Sequence, residues 1–207
     1  MELARLYAIV DAEVLALRGI ELREFAGGLR AAGVSLVQYR DKVGSPQEIL
    51  RAAAVIREVF AGTDCRFILN DRADLALAGW GGVHVGQEDL SPEDARRVVG
   101  AAMWVGVSTH TEEQVRQAEA SCADYVAVGP VFATGTKLDA EAVIGLEGVR
   151  RARTLTTKPI VAIGGITRGN AHSVIDAGAD SVAVISALIA DGESVEKVAR
   201  DFLDVVR

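Results

Sequence analysis

At 207 residues the chain has room for one domain with a large core, and two full domains would be cramped. Half of its residues are hydrophobic but only 5% are aromatic, so that core must be built from Ala, Val, Leu and Ile, as in a sheet covered by helices. With 22 basic against 29 acidic residues, the net charge of −7 argues against a nucleic-acid or anionic-membrane surface; any anionic substrate must be gripped by locally placed groups.

The first ten residues carry Glu2 and Arg5 and lack a basic stretch followed by a long apolar one, so no signal peptide is expected. No apolar run approaches the ~18 residues of a membrane span. Cys65 and Cys122 stand apart, without a CxxC or a nearby His, and are expected to be reduced, buried small residues of a cytoplasmic protein.

Short apolar runs recur at Leu6–Val10, Val34–Arg40, Arg66–Asn70, Gly82–Val85, Met103–Ser108, Tyr125–Gly129, Pro159–Ile163 and Ser181–Ile185. Between them lie stretches of about 10 to 17 residues with apolar positions at helical spacing, the alternation expected of β/α units and a parallel sheet. Helix starts stand at Ser45-Pro46-Gln47-Glu48, Ser91-Pro92-Glu93-Asp94 and Thr111-Glu112-Glu113-Gln114, each a hydroxyl cap with an acid or amide three residues on. Glycines at Gly33, Gly81-Gly82 and Gly178 mark the returns into strands. Residues 122–128 and 178–184 repeat one helix-to-strand corner two β/α units apart, as in a ring of similar units. An open doubly wound sheet would want a glycine-rich turn after the first strand, and Val10-Asp11-Ala12-Glu13 has no glycine. The expected fold is therefore α/β, a single (β/α)8 TIM barrel occupying residues 1–207 as one catalytic domain.

In such a barrel the chemistry sits at the C-terminal strand ends. The second strand ends Gln38-Tyr39-Arg40-Asp41-Lys42, and alternation puts Gln38, Arg40 and Lys42 on one face. The third and fourth strands bring Asn70-Asp71 and Gly86-Gln87-Glu88-Asp89 to neighbouring tips. Asp71 and Asp89 could serve as acid and base or as oxygen ligands for Mg2+, and the cations nearby favour the metal. The fifth strand leads to Ser108-Thr109-His110, with His110 expected to be structural or peripheral; His84 reads as a core histidine with its bonds satisfied and His172 as a helix-surface residue. After the sixth strand, Thr134-Gly135-Thr136-Lys137 suits an anion-holding lid. The seventh and eighth strands end in Gly164-Gly165-Ile166 and Ile185-Ser186-Ala187, where backbone N–H groups, with a helix N-terminus expected after each turn, suit a phosphate.

These six segments, in this order and spanning nearly the whole chain, resemble the thiamine phosphate synthase family: Gln-x-Arg-x-Lys at Gln38, Arg40 and Lys42, Asn70-Asp71, Gly86 through Asp89, Gly106 through Thr111, Thr134 with Thr136-Lys137, and the Gly-Gly and Ile-Ser turns. The resemblance implies condensation of a pyrimidine methyl diphosphate with a thiazole phosphate to give thiamine phosphate and diphosphate. It implies Mg2+ held by Asp71 and Asp89, with Arg40, Lys42, Asn70, Ser108 and Lys137 on the diphosphate. Arg40, Lys42, Ser108 and Lys137 would be catalytic, and Gln38 would be a further substrate-binding donor. Gly165, Ile185, Ser186, Thr134 and Thr136 would hold the thiazole phosphate. Diphosphate departure would leave a pyrimidine methyl cation, which the thiazole nitrogen attacks without a strong base. This sequence departs from the family pattern at Tyr39, where a small aliphatic is common, and at Ala133, where proline is usual. The implied partners are small phosphorylated molecules, and a homo-oligomer is compatible with the sequence. The same fold also serves a thiazole tautomerase, which has no diphosphate to hold and does not need Lys42, Asp71 and Asp89 as a set; a third alternative is a non-catalytic barrel that binds thiamine phosphate.

Overall fold

The computed structural model describes residues 3–135 and 142–207. Eight strands, β1 (Leu6–Asp11), β2 (Leu36–Arg40), β3 (Arg66–Asn70), β4 (Gly82–Val85), β5 (Trp104–Thr109), β6 (Tyr125–Val128), β7 (Ile160–Ile163) and β8 (Ser181–Val184), pair in parallel and in chain order into a closed barrel. The ring closes where Leu6, Tyr7 and Ala8 pair with Val182, Ala183 and Val184, so the open-sheet alternative falls. Around it run α1 (Ala12–Arg18), α2 (Leu22–Ala32), α3 (Pro46–Val59), α4 (Ala73–Ala76), α5 (Pro92–Val99), α6 (Glu112–Ala120), α7 (Gly145–Leu155), α8 (Ala171–Asp176) and α9 (Val195–Val205). No helix among the described residues is long and apolar enough to cross a membrane.

The predicted helix starts form: Ser45 and Thr111 make capping boxes with Glu48 and Gln114, and the Ser91 side chain accepts from Asp94 N. Strand bounds shift by a residue or two. Val34 belongs to the turn after α2, where its N–H bonds Leu29 O, while Asp11 and Thr109 extend their strands toward the mouth.

Alternation sends one set of side chains outward, where Val37, Tyr39, Val83, Val105, Val126 and Val182 meet the buried faces of the helices. The other set fills the barrel: Tyr7, Ile9, Leu36, Ile68, Tyr125, Ala127, Val161 and Ala183. Tyr39 takes the outward side, stacked on Trp80, so its difference from the family pattern is a packing change, as the alternation predicts. Cys122, however, is exposed and only Cys65 is partly buried, so the expectation of two buried thiols fails at Cys122. It sits in the turn where α6 has ended, outside the packed layers.

The repeated corner has a physical cause. Asp124 Oδ2 accepts from Val105 N at 2.7 Å and from Arg96 at 2.5 Å; Asp180 Oδ2 accepts from Ile160 N at 2.8 Å and from Arg153 at 3.1 Å. Each aspartate thus ties its own strand to the preceding strand and to the helix that leads into that preceding strand, α5 for Asp124 and α7 for Asp180, at the N-terminal end of the barrel. Asp124→Ala leaves Val105 N–H and Arg96 without this partner and is expected to cost about 2 kcal/mol in chemical denaturation, with KM unchanged because that end lies away from the mouth.

Candidate active site

The mouth of the barrel holds a cavity of about 660 Å3. Of the residues singled out in the sequence, Gln38, Arg40, Asn70, Ser108, Thr134, Gly165, Ile185 and Ser186 line it. Thr136 and Lys137 lie outside the described residues. Lys42, Asp71 and Asp89 do not line the cavity and form a separate cluster at the β2, β3 and β4 tips.

Arg40 is placed by its neighbour in register. β1 and β2 pair Asp11 with Arg40, and Arg40 Nη1 donates to the buried Asp11 carboxylate at 2.5 Å. The other Asp11 oxygen caps α1 by accepting from Val14 N at 3.0 Å. A guanidinium fixed this way keeps its remaining N–H groups for an anion without the entropy cost of a free side chain.

Lys42 Nζ forms an ion pair with Asp71 Oδ2. Burial pushes the Asp71 carboxyl above the usual carboxylate range; Lys42 opposes this and Asp89, within hydrogen-bonding reach, adds to it. Asp71 is the one non-glycine residue among those described with positive φ, at 60°, a conformation aspartate tolerates and one that turns its side chain at the strand tip. Asp89 also accepts from Gly86 N at 2.8 Å, which folds the β4–α5 loop back over its strand. Two carboxylates that repel each other at a strand tip suit Mg2+, which takes one or two carboxylates and completes its shell with water and phosphate oxygens. Among the described residues no third His, Cys, Asp or Glu joins them, so substrate and water would supply the rest.

On the opposite wall, Gly164 and Gly165 adopt positive φ of 99° and 63°. A Cβ on Gly165 would lie 2.5 Å from Ala133 O and 2.7 Å from Phe132 Cβ. The β6–α7 loop is docked there by Val131 N to Ile163 O and Phe132 N to Gly164 O, at 2.9 and 3.0 Å. Glycine therefore serves packing between two loops as well as anion approach. The expected helix dipoles need correction: a three-residue 3-10 turn, Ser186–Leu188, follows β8, and α8 begins only at Ala171, so the backbone of the two turns and not a long helix would meet a phosphate here.

Tyr7, His84, His110 and Arg18 are among the lining residues that the sequence did not mark as site members. Tyr7 looks like any apolar strand residue. His84 is satisfied as expected, but its partners are the Ser108 and Tyr125 hydroxyls at 2.9 and 3.0 Å, inside the barrel and on the cavity wall. His110 also lines the cavity and bonds Gly129 O at 2.8 Å, holding the start of the β6–α7 loop, so its role is structural without being peripheral. Arg18 on α1 reaches the rim. The alternation that put Gln38 and Arg40 inside would have done the same for Tyr7 and His84. His172, by contrast, is surface-exposed and bonds Val205 O, as expected.

Comparison with known proteins places the chain in one family. Residues 6–188 match the family model described as thiamine monophosphate synthase. The chain is 54% identical over 197 residues to a thiamine-phosphate synthase of Koribacter versatilis, covering 92% of each chain. It is 45% identical to a thiamine-phosphate synthase of Moorella thermoacetica, over 88% of this chain and 87% of that one. Among solved structures, a thiamine phosphate pyrophosphorylase from Pyrococcus furiosus superposes with a TM-score of 0.86 at 34% identity, over 98% of this chain and 95% of that one.

Proposed function

The chain belongs to the thiamine monophosphate synthase family and has its synthase activity, and from that premise we propose how the cavity divides the work. The substrates are small phosphorylated molecules. The β2, β3 and β5 tips take the pyrimidine methyl diphosphate: Arg40, Asn70 and Ser108 line the cavity, Gln38 lies deeper on the same wall, and the Lys42–Asp71–Asp89 cluster stands at the edge. The β6, β7 and β8 loops take the thiazole phosphate, with Thr134, Gly165, Ile185 and Ser186 around it. Thr136 is assigned to the same phosphate and Lys137 to the diphosphate by the family motif alone.

Asp71 and Asp89 would hold Mg2+, which when bound neutralises charge on the diphosphate and makes it a better leaving group. Arg40 and Lys42 stabilise the negative charge that develops as the C–O bond breaks, and Ser108 adds a hydrogen bond. The pyrimidine methyl cation left behind is captured by the thiazole nitrogen, so no side chain has to remove a proton from a weak acid. The paired acids beside Lys42 carry this assignment, because a tautomerase acting on thiazole phosphate has no diphosphate for such a cluster to meet. Two free cysteines among the described residues support a cytoplasmic setting.

Incubation with both substrates and Mg2+ should give thiamine phosphate and one equivalent of diphosphate, and a chelator should abolish both products until Mg2+ is restored. Isomerisation of the thiazole phosphate without condensation would overturn the assignment, as would product binding without turnover.

A further inference from the structure

Along the floor of the cavity, five side chains from five strands form one hydrogen-bonded line across the barrel. Gln38 Nε2 donates to the Tyr7 hydroxyl at 2.9 Å, the Tyr7 and Tyr125 hydroxyls meet at 3.0 Å, Tyr125 meets His84 Nδ1 at 3.0 Å, and His84 Nε2 meets Ser108 Oγ at 2.9 Å. Both tyrosines are buried, and they make no further side-chain hydrogen bond among the described residues. Room for the line is built into β5: a Cβ on Gly106 would lie 2.0 Å from Tyr125 Cζ.

Counting hydrogens gives the line a direction. The Gln38 amide hydrogen occupies the Tyr7 oxygen, so the Tyr7 hydrogen goes to Tyr125. The Tyr125 hydrogen then goes to His84 Nδ1. A neutral imidazole with Nδ1 accepting carries its hydrogen on Nε2 and donates it to Ser108 Oγ. With its oxygen engaged from below, Ser108 turns its own hydrogen into the cavity. The geometry points to His84 as a positioning residue that, oriented through Tyr125, Tyr7 and Gln38, fixes the Ser108 hydroxyl as a donor to the anion bound above it. Burial raises both phenols above their usual range, which keeps the two hydroxyls protonated. With the opposite polarity, His84 would carry its hydrogen on Nδ1 and Ser108 would spend its own on Nε2, presenting lone pairs to the anion. The inference rests on the assignment of Ser108 to the diphosphate.

The two polarities differ in the tautomer of one ring, which 15N NMR of the histidine-labelled full-length protein reads without turnover. The chain has three histidines, and the spectrum of His84→Gln identifies the missing signal. At neutral pH His84 should show a bare Nδ1 and a protonated Nε2; a protonated Nδ1, alone or in an imidazolium, overturns the inference. Inorganic diphosphate with Mg2+ is the second probe. His84→Gln keeps an amide hydrogen for Ser108 and should bind it within about threefold of the parent, whereas His84→Leu should bind at least about tenfold more weakly. Equal affinities in the two folded variants would remove the positioning role. Absence of thiamine phosphate synthesis with the expected tautomer present would instead count against the synthase assignment and leave the line intact.

Discussion

Asp71→Ala and Lys42→Ala are each expected to lower turnover by at least ~10²-fold, the scale on which one preorganised charge stabiliser is lost. The two variants should differ in their dependence on Mg2+. Asp71 is held beside Asp89 in a partly buried place that pushes its carboxyl upward, so a divalent cation there relieves repulsion that the fold has already built in. Removing Asp71 takes away a ligand, and the Mg2+ concentration for half-maximal rate should rise. Removing Lys42 leaves both carboxylates and one cation fewer, so the Mg2+ requirement should not rise while the rate still falls. Because Lys42 and Asp71 are in contact, the double variant should lose less than the product of the two single losses. Steady-state rates across a Mg2+ titration check all three statements, and near-normal rates in both single variants would remove the leaving-group role.

The ring and its polarity were legible because each β/α unit carries its own punctuation: Ser45, Ser91 and Thr111 start helices, Gly33 and Gly178 end them, and apolar runs lie between. Which strand-tip side chains face the cavity was legible too, since alternation alone puts Gln38 and Arg40 inside and Tyr39 outside. Partnerships that depend on register were not. Nothing local announces that Asp11 on β1 lies beside Arg40 on β2, or that Tyr7, Tyr125, His84 and Ser108 meet across the barrel, because those contacts follow from closure and stagger. The α4 return shows the same limit. Gly81-Gly82 looked like a helix end, yet the left-handed residue is Gly79, and Gly82 is small because a Cβ there would lie 2.6 Å from Trp104 O on the next strand.

Gly165→Val tests the other half of the site, and its effect should fall on one substrate. At φ of 63° a β-branched residue is strained wherever it is placed, and here its Cβ would also press on Ala133 O and Phe132 Cβ. The loop that carries both neighbours cannot yield freely, since Val131 N is bonded to Ile163 O and Phe132 N to Gly164 O. The β7 turn must therefore move, and the backbone N–H groups that would meet the thiazole phosphate move with it. KM for the thiazole phosphate should rise at least about tenfold, equivalent to about 1.4 kcal/mol of lost binding, while KM for the pyrimidine diphosphate stays near its parent value. Gly27→Ala supplies the control, because a Cβ at that position in α2 meets nothing within 4 Å and alanine favours the helix. If Gly165→Val raised both KM values alike, the two phosphate sites would share the β7 turn, and the division of the cavity into a diphosphate wall and a thiazole wall would fail.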